Sequence, residues 1–386
     1  MTPTCRLSRS LLLSAVNGAA GIVQTKAAMP VLACVLLEAH DSRLTVTANN
    51  LSSSLRVVVP AETSGNFSVC VAAHRLVSIL GDLEEDPNGV SLSLSHLCGG
   101  AGAALEVRAG RSDYRILFIA GTEFPATVEP ALPTVAFEMN AAELAFALSS
   151  VGYAMSKDES RAILRNTHIS LAGGRGVFTA TDGRRLARRS VPIPGATKGM
   201  LLLPDSAAAS LVKLLGQAFG LVRVAATDRL ARFTFVPDTD TKVQKPGFVF
   251  TTQLADGKFP EVDAVVPKLK PGEFAAFTAE ADTFAAAIER TALVCSEKAN
   301  SVTLQTSANS VSLAASSPDF GSAEESFESA VNGPAEIRAS FNHLFLGQAV
   351  AFSKSDKVEV KLGSLASPAL VEAEGYLAMV MPVRLS

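Results

Sequence analysis

Apolar positions along the chain follow two periods, helical and alternating, and the succession of the two runs through three times. Leu7, Leu11, Leu12, Ala15 and Val16 mark one face at helical spacing, and equivalent helices are predicted at 141–150 and 281–293. Each helix leads into segments where apolar and polar residues alternate, the pattern of half-buried strands, with clear samples at 43–46, 56–59, 168–171 and 301–304. A second helix is predicted in each copy, at 73–83, 206–216 and 342–353. More strands follow it: 90–94 with 104–108, 221–225 with 232–236, and 358–362 with 369–372.

One strand reads almost the same in the first two copies, Leu44-Thr45-Val46-Thr47-Ala48-Asn49-Asn50 and Gly176-Val177-Phe178-Thr179-Ala180-Thr181-Asp182. A fainter third copy is Val311-Ser312-Leu313-Ala314-Ala315-Ser316-Ser317. The interval of roughly 130 residues is the spacing of domains and too long for a solenoid repeat. Two helices and two strand groups per copy predict an α+β unit whose helices pack on one face of antiparallel sheet. Edge strands of such units can pair across the junctions, which hides exposed backbone groups and gives an arc with sheets outside and helices inside. Pro and Gly interrupt the strand patterns at 125–137 and 267–274, so the boundaries are expected there. No long Gly/Ser linker separates the copies.

Composition narrows the class. The 386 residues exceed one ordinary core and suit about three domains. Apolar residues make up 48% of the chain, yet no run approaches the roughly 20 needed to cross a bilayer. Arg6 and Arg9 before Leu11-Leu12-Leu13 have the look of a secretory signal, but Ser14, Asn17 and Gly18 break the apolar stretch early and favour the helix. The cysteines (Cys5, Cys34, Cys70, Cys98, Cys295) and histidines (His40, His74, His96, His168, His343) are scattered without ligand or redox spacing. They predict neither a metal nor a cofactor, and suit a reducing compartment. The net charge of −3 argues against a uniformly basic nucleic-acid coat while allowing a local basic patch.

An enzyme would require a nucleophile with its base, a phosphate loop or a carboxylate cluster. Ala172-Gly173-Gly174-Arg175-Gly176 is glycine-rich, but it lacks the Lys-Ser/Thr of a phosphate loop and fits a hairpin turn. A non-catalytic protein is the expectation.

The segments Phe178-Thr179-Ala180-Thr181-Asp182-Gly183-Arg184-Arg185-Leu186-Ala187, Lys258-Phe259-Pro260-Glu261 and Met379-Val380-Met381-Pro382-Val383-Arg384-Leu385 resemble the bacterial DNA polymerase III β subunit family, the sliding clamps. Met29-Pro30-Val31-Leu32, Val107-Arg108-Ala109-Gly110-Arg111-Ser112 and Ser296-Glu297-Lys298 add to the resemblance, which covers essentially the whole chain in order. It implies three similar clamp domains at 1–130, 131–270 and 271–386, and a head-to-tail homodimer closing as a six-domain ring around double-stranded DNA without sequence preference. The implied role is that of a processivity factor in the cytoplasm, on the nucleoid. Its implied partners are the polymerase III alpha subunit, an ATP-driven clamp loader, and other polymerases and repair proteins carrying clamp-binding peptides, with no membrane. The alternative is a clamp paralogue that binds the same partners without a housekeeping replication role.

Carried over position by position, the resemblance implies a partner-peptide pocket of Arg161, Leu164, Thr181, Gly183, Arg184, Arg185, Leu186, Pro260, Val265, Met379, Met381, Pro382, Val383 and Arg384. Read by themselves, the same residues are a turn and a terminal edge strand. Arg184, Arg185, Arg188 and Arg189 form the densest basic cluster, and strand alternation prevents all four from facing one partner. Arg184 and Arg185 are expected at the pocket rim, and Arg188 and Arg189 on solvated surface. The DNA-facing set is Lys26, Arg6, Arg9, Arg75, Lys157, Lys213, Arg290 and Lys354, most of them on or beside the inner helices; the bland reading of each is a solvated cation. Tyr114 and Ile116 on the strand 113–118, with Leu293 and Val294 at a helix end, match the subunit seam, and ordinary core packing competes for all four. The chain departs from the family at Pro204-Asp205-Ser206, where a basic residue often follows the proline, and at Asn49-Asn50, Ile163 and Ser386.

Overall fold

The computed structural model describes residues 2–24, 29–96, 103–130, 132–216, 218–238, 246–270, 272–295, 300–334, 336–363 and 366–383. Among them stand the six expected α-helices: α1 (Arg9–Ala20), α2 (Ala73–Asp82), α3 (Ala141–Gly152), α4 (Asp205–Leu215), α5 (Ala281–Ala292) and α6 (His343–Ala351). One expected position differs. Leu7 closes the strand Thr4–Leu7, and Ser8 caps α1 by accepting a hydrogen bond from the Leu11 amide at 3.4 Å. The capping hydroxyl satisfies a backbone donor that the first helical turn leaves open, so the helix starts there and not earlier.

The chain forms two compact units. The first comprises Met1–Ala145, Gly195–Thr197 and Ser210–Leu254. Its antiparallel sheet has 13 strands, among which Phe248–Gln253 pairs with Ser53–Pro60, Phe250 opposite Leu55. That seam joins the first sequence copy to the middle one, with a buried hydrogen bond of 2.8 Å between the Ser53 and Thr252 hydroxyls. Alternation explains the register. Leu55, Val57 and Val59 are buried while Arg56 and Val58 are exposed, and a slip of one residue would reverse every side chain. α1 lays Leu12, Ala15, Val16 and Ala19 against this sheet and against α2.

The second unit comprises Phe146–Pro194, Lys198–Ala209 and Ala255–Ser386. It holds an eight-stranded and a four-stranded antiparallel sheet, with α5 and α6 packed together. In the eight-stranded sheet Arg185–Pro192 pairs with Tyr376–Val380, Leu186 opposite Met379, so a middle-copy strand is bonded to a third-copy strand. Tyr376–Val380 pairs on its other side with Ala369–Ala373. It is an interior strand, not the terminal edge strand that its position in the sequence suggests.

The likeness of the first two copies extends to the turns. After Arg43–Asn49 the Asn50 side-chain carbonyl accepts from the amides of Ser52 (3.1 Å) and Ser53 (2.7 Å), and Leu51 adopts φ +71°. After Arg175–Thr181 the Asp182 carboxylate accepts from Arg184 (2.9 Å) and Arg185 (3.0 Å), and Gly183 adopts φ +86°. Asn and Asp each mimic a backbone acceptor here, which is why one replaces the other without loss of the turn. The glycine pair 173–174 forms the expected hairpin turn, both residues with positive φ, between Asn166–Ala172 and Arg175–Thr181.

Candidate functional site

Of the expected pocket residues, Arg161, Thr181, Gly183, Arg184, Arg185 and Met381 meet in the second unit at the turn from Thr181 to Arg185. The turn is fixed on several sides. The Thr181 hydroxyl donates to the Arg185 carbonyl (2.7 Å) and accepts from the Gly183 amide (3.1 Å), and Arg161 Nη1 donates to the Asp182 carbonyl (3.1 Å). The tail then runs past it: the Met381 amide donates to the Arg184 carbonyl (2.9 Å), Pro382 bridges to Phe341, and the Val383 amide donates to the Ser340 carbonyl (2.7 Å).

Beneath the turn lies a packed floor of Leu186, Leu202, Phe259, Val262, Leu370 and Met379, against which Ile163 and Leu377 rest. Leu186 and Met379 are therefore buried in this floor. The accessible apolar groups are Val265, Met381 and Val383, respectively 58%, 40% and 36% exposed. Pro260 is exposed and Leu164 half-buried on the segment that also carries Arg161. An apolar surface edged by the exposed guanidinium groups of Arg161 and Arg184 can hold an extended peptide with apolar anchors and oxygen acceptors. Arg384 lies outside the described residues.

Two of the arginine assignments change. Arg185 is buried rather than at the rim: its Nε donates to Asp182 Oδ2 (2.9 Å), Nη1 donates to Gln348 Oε1, and its guanidinium lies over the rings of Phe345 (4.2 Å) and Tyr153 (5.4 Å). Arg189 is also buried and not solvated, held by the carbonyls of Glu374 (2.9 Å) and Ser353 and by the rings of Phe146 (4.6 Å) and Tyr376 (4.8 Å). Positions 185 and 189 share one face of the strand, so both meet the same aromatic row. Tyr153 and Tyr376 join the two cages through their hydroxyls at 2.7 Å, and Tyr376 donates on to the Ala349 carbonyl (2.9 Å). Burial pushes both phenols up. On the opposite face Arg188 pairs with Asp263 at 2.6 Å. His168 stacks on Phe259 at 5.0 Å, where burial first, and the Arg188 charge second, hold its pKa below the usual imidazole value. Tyr153, Gln348, Phe345 and Tyr376 were not expected to matter here, since nothing local in the sequence links them to the turn.

Of the DNA-facing set, Lys26 lies outside the described residues. Arg6, Arg75, Lys157, Lys213 and Lys354 are exposed, Lys354 with its Nζ 5.2 Å from the Phe352 ring. Arg9 is engaged within the chain: it donates to the Gly81 carbonyl (2.7 Å) at the end of α2 and lies 3.6 Å from Glu85. Arg290 is paired with Glu325, its Nε donating at 3.1 Å. At the expected seam Tyr114 and Leu293 are 38% and 81% exposed, so neither is spent on the chain's own core; Ile116 and Val294 are half-buried.

Among the described residues no group of His, Cys, Asp and Glu could hold a metal ion, and no helix is long and apolar enough to cross a membrane. Sequence models of the DNA polymerase III beta subunit match three successive stretches: the N-terminal domain at 4–128, the central domain at 138–261 and the C-terminal domain at 268–384. The chain belongs to the DNA polymerase III beta subunit family. A beta sliding clamp of Pseudomonas aeruginosa is 28% identical over 98% of this chain and 99% of its own, and one of Caulobacter vibrioides is 26% identical over the same shares. The crystal structure of the Pseudomonas aeruginosa polymerase III subunit beta matches with a TM-score of 0.85 at 27% identity, covering both chains fully. Another from that organism, a sliding clamp bound to griselimycin, matches at 0.86 with the same identity and coverage. Membership in the beta subunit family makes this chain a sliding clamp, a non-catalytic processivity factor in DNA replication.

Proposed function

We propose that two copies close head to tail into a ring around duplex DNA, each contributing three domains at 1–130, 131–270 and 271–386, and that the surface beside Met381 tethers polymerases and repair proteins. The observation that carries the ring is a pair of open strand edges. Residues 112–117 of the strand Ser112–Ala120 pair on one side with Ala103–Ala109, and only 118–120 reach the strand Phe67–Ala72 on the other. Gly321–Glu328 ends the four-stranded sheet and, among the described residues, pairs with Ser310–Ser317. Among the described residues each of these segments has a strand neighbour on one side, and an edge of that kind can be extended by a strand of a second copy. Exposed Tyr114 and Leu117 flank the first edge, and Leu293 and Phe320 lie in the third copy with the second.

A ring holds DNA by topology, so its phosphate contacts are weak and interchangeable, a role suited to the exposed Arg6, Arg75, Lys157, Lys213 and Lys354. Tethering raises the effective concentration of a polymerase at the primer end without any new catalytic contact. On this reading the peptide groove takes the alpha subunit, the loader and other partners in turn, and griselimycin, which a Pseudomonas aeruginosa clamp binds, is taken as its probe. The reading places the protein in the cytoplasm, on the nucleoid.

The test is retention on DNA after loading by an ATP-driven clamp loader. The protein stays on a nicked circular plasmid and leaves within seconds of linearisation; equal release from both forms would remove the ring. Complementation of a strain depleted of its own clamp separates a housekeeping clamp from a paralogue.

A further inference from the structure

The groove turn is bound to the last helix through one buried side chain. Arg185 is 7% exposed, and its guanidinium is aimed away from the groove, toward α6. One end holds the Asp182 carboxylate, the same group that accepts from the Arg184 and Arg185 amides and so shapes the turn. The other end is held by Gln348 Oε1 on α6. Gln348 is distant in sequence from the turn and has no place among the groove residues. It lines a separate cleft of about 350 Å³ with Tyr153, Lys157, Arg185, Asp205 and Ser206.

The chain of contacts has a direction. Gln348 fixes the guanidinium, the guanidinium fixes Asp182, Asp182 fixes the Arg184 and Arg185 amides, and the Arg184 carbonyl receives the Met381 amide. Without its acceptor on α6 the guanidinium would keep its rings and Asp182 but lose the contact that sets its position along the ring faces. Charge-assisted hydrogen bonds of this kind are directional and stronger than neutral ones.

We propose that Gln348 is a positioning residue for peptide binding: through Arg185 and Asp182 it holds the turn and the tail in the shape that receives a partner, without touching the partner itself. The proposal rests on the groove reading given above. Binding to a turn that must first be ordered is weaker, because the cost of ordering is subtracted from the contact energy.

The experiment compares the full-length protein with Gln348→Met, which keeps length but offers only a weak thioether acceptor, and Gln348→Glu, which restores an oxygen acceptor. The probe is griselimycin, titrated calorimetrically. Gln348→Met is expected to bind about tenfold more weakly, equivalent to ~1.4 kcal/mol at 25 °C, and Gln348→Glu to bind within twofold of the parent. Hydrogen exchange over 181–186 should quicken in Gln348→Met alone, even without ligand. Equal affinity in the parent and Gln348→Met, or failure of Gln348→Glu to restore binding, overturns the proposal while the groove stands. A parent protein that does not bind griselimycin overturns the groove reading and this proposal together.

Discussion

Leu293→Asp is the sharpest test of the proposed seam because the side chain has so little to do inside its own chain. Leu293 sits just past α5 and is 81% exposed. Burying such a side chain is worth ~2 kcal/mol. A head-to-tail dimer has two seams, so the substitution forfeits about 4 kcal/mol per dimer, close to three decades in the dissociation constant. The carboxylate adds a desolvation penalty, which makes that figure a lower bound. Light scattering over a dilution series reads the loss directly, as a fall from twice the chain mass toward the chain mass at concentrations where the parent stays dimeric. The melting temperature of the separated chain should hold. A dissociation constant within tenfold of the parent's would place the seam elsewhere, and a lowered melting temperature would mean that Leu293 belongs to the chain's own packing.

The tail gives the complementary result: deleting 381–386 removes the Met381 and Val383 hydrogen bonds to the turn and to Ser340, so griselimycin binding should disappear while light scattering still reports a dimer. Unchanged affinity would move the groove. Tyr376→Phe leaves the Tyr153 hydroxyl and the Ala349 carbonyl without their present partner, which should destabilise the protein by about 1–3 kcal/mol; an unaltered urea midpoint would show that the hydroxyl pair carries no net stability. His168 has a pKa lowered by folding, so the unfolded chain binds its proton more readily, and the folded state loses stability as pH falls below about 6.5, where the unfolded imidazole begins to charge. His168→Phe retains a ring on Phe259 and should lose less stability between pH 7 and 5 than the parent; parallel curves would show that the histidine does not contribute.

Local periodicity determined much of this protein before any coordinates. Helical and alternating spacing located the six helices and the main strands to within a few residues, because each pattern reports only which side of an element is dry. The repeated strand, followed by an Asn or Asp turn in the first two copies, gave the threefold plan, and Gly173-Gly174 gave a hairpin, since a two-residue turn with positive φ closes such a strand pair easily. The tail and the Thr181–Arg185 turn were legible as a candidate site through the family resemblance, not through their own chemistry.

What tertiary structure alone decided was the environment of individual side chains. Arg184, Arg185, Arg188 and Arg189 are one letter in a charged cluster, yet one is exposed, two are caged by aromatic rings and one is paired with Asp263. The cages are built from Phe146, Tyr153, Phe345 and Tyr376, which lie on other elements and approach only when the strands of the middle and third copies pair. Leu293 is likewise indistinguishable in sequence from the core leucines of the helices, and Arg9 and Arg290 from free cations. A sequence pattern fixes the direction in which a side chain leaves its own element, but its burial and its partners depend on what distant segments bring to meet it.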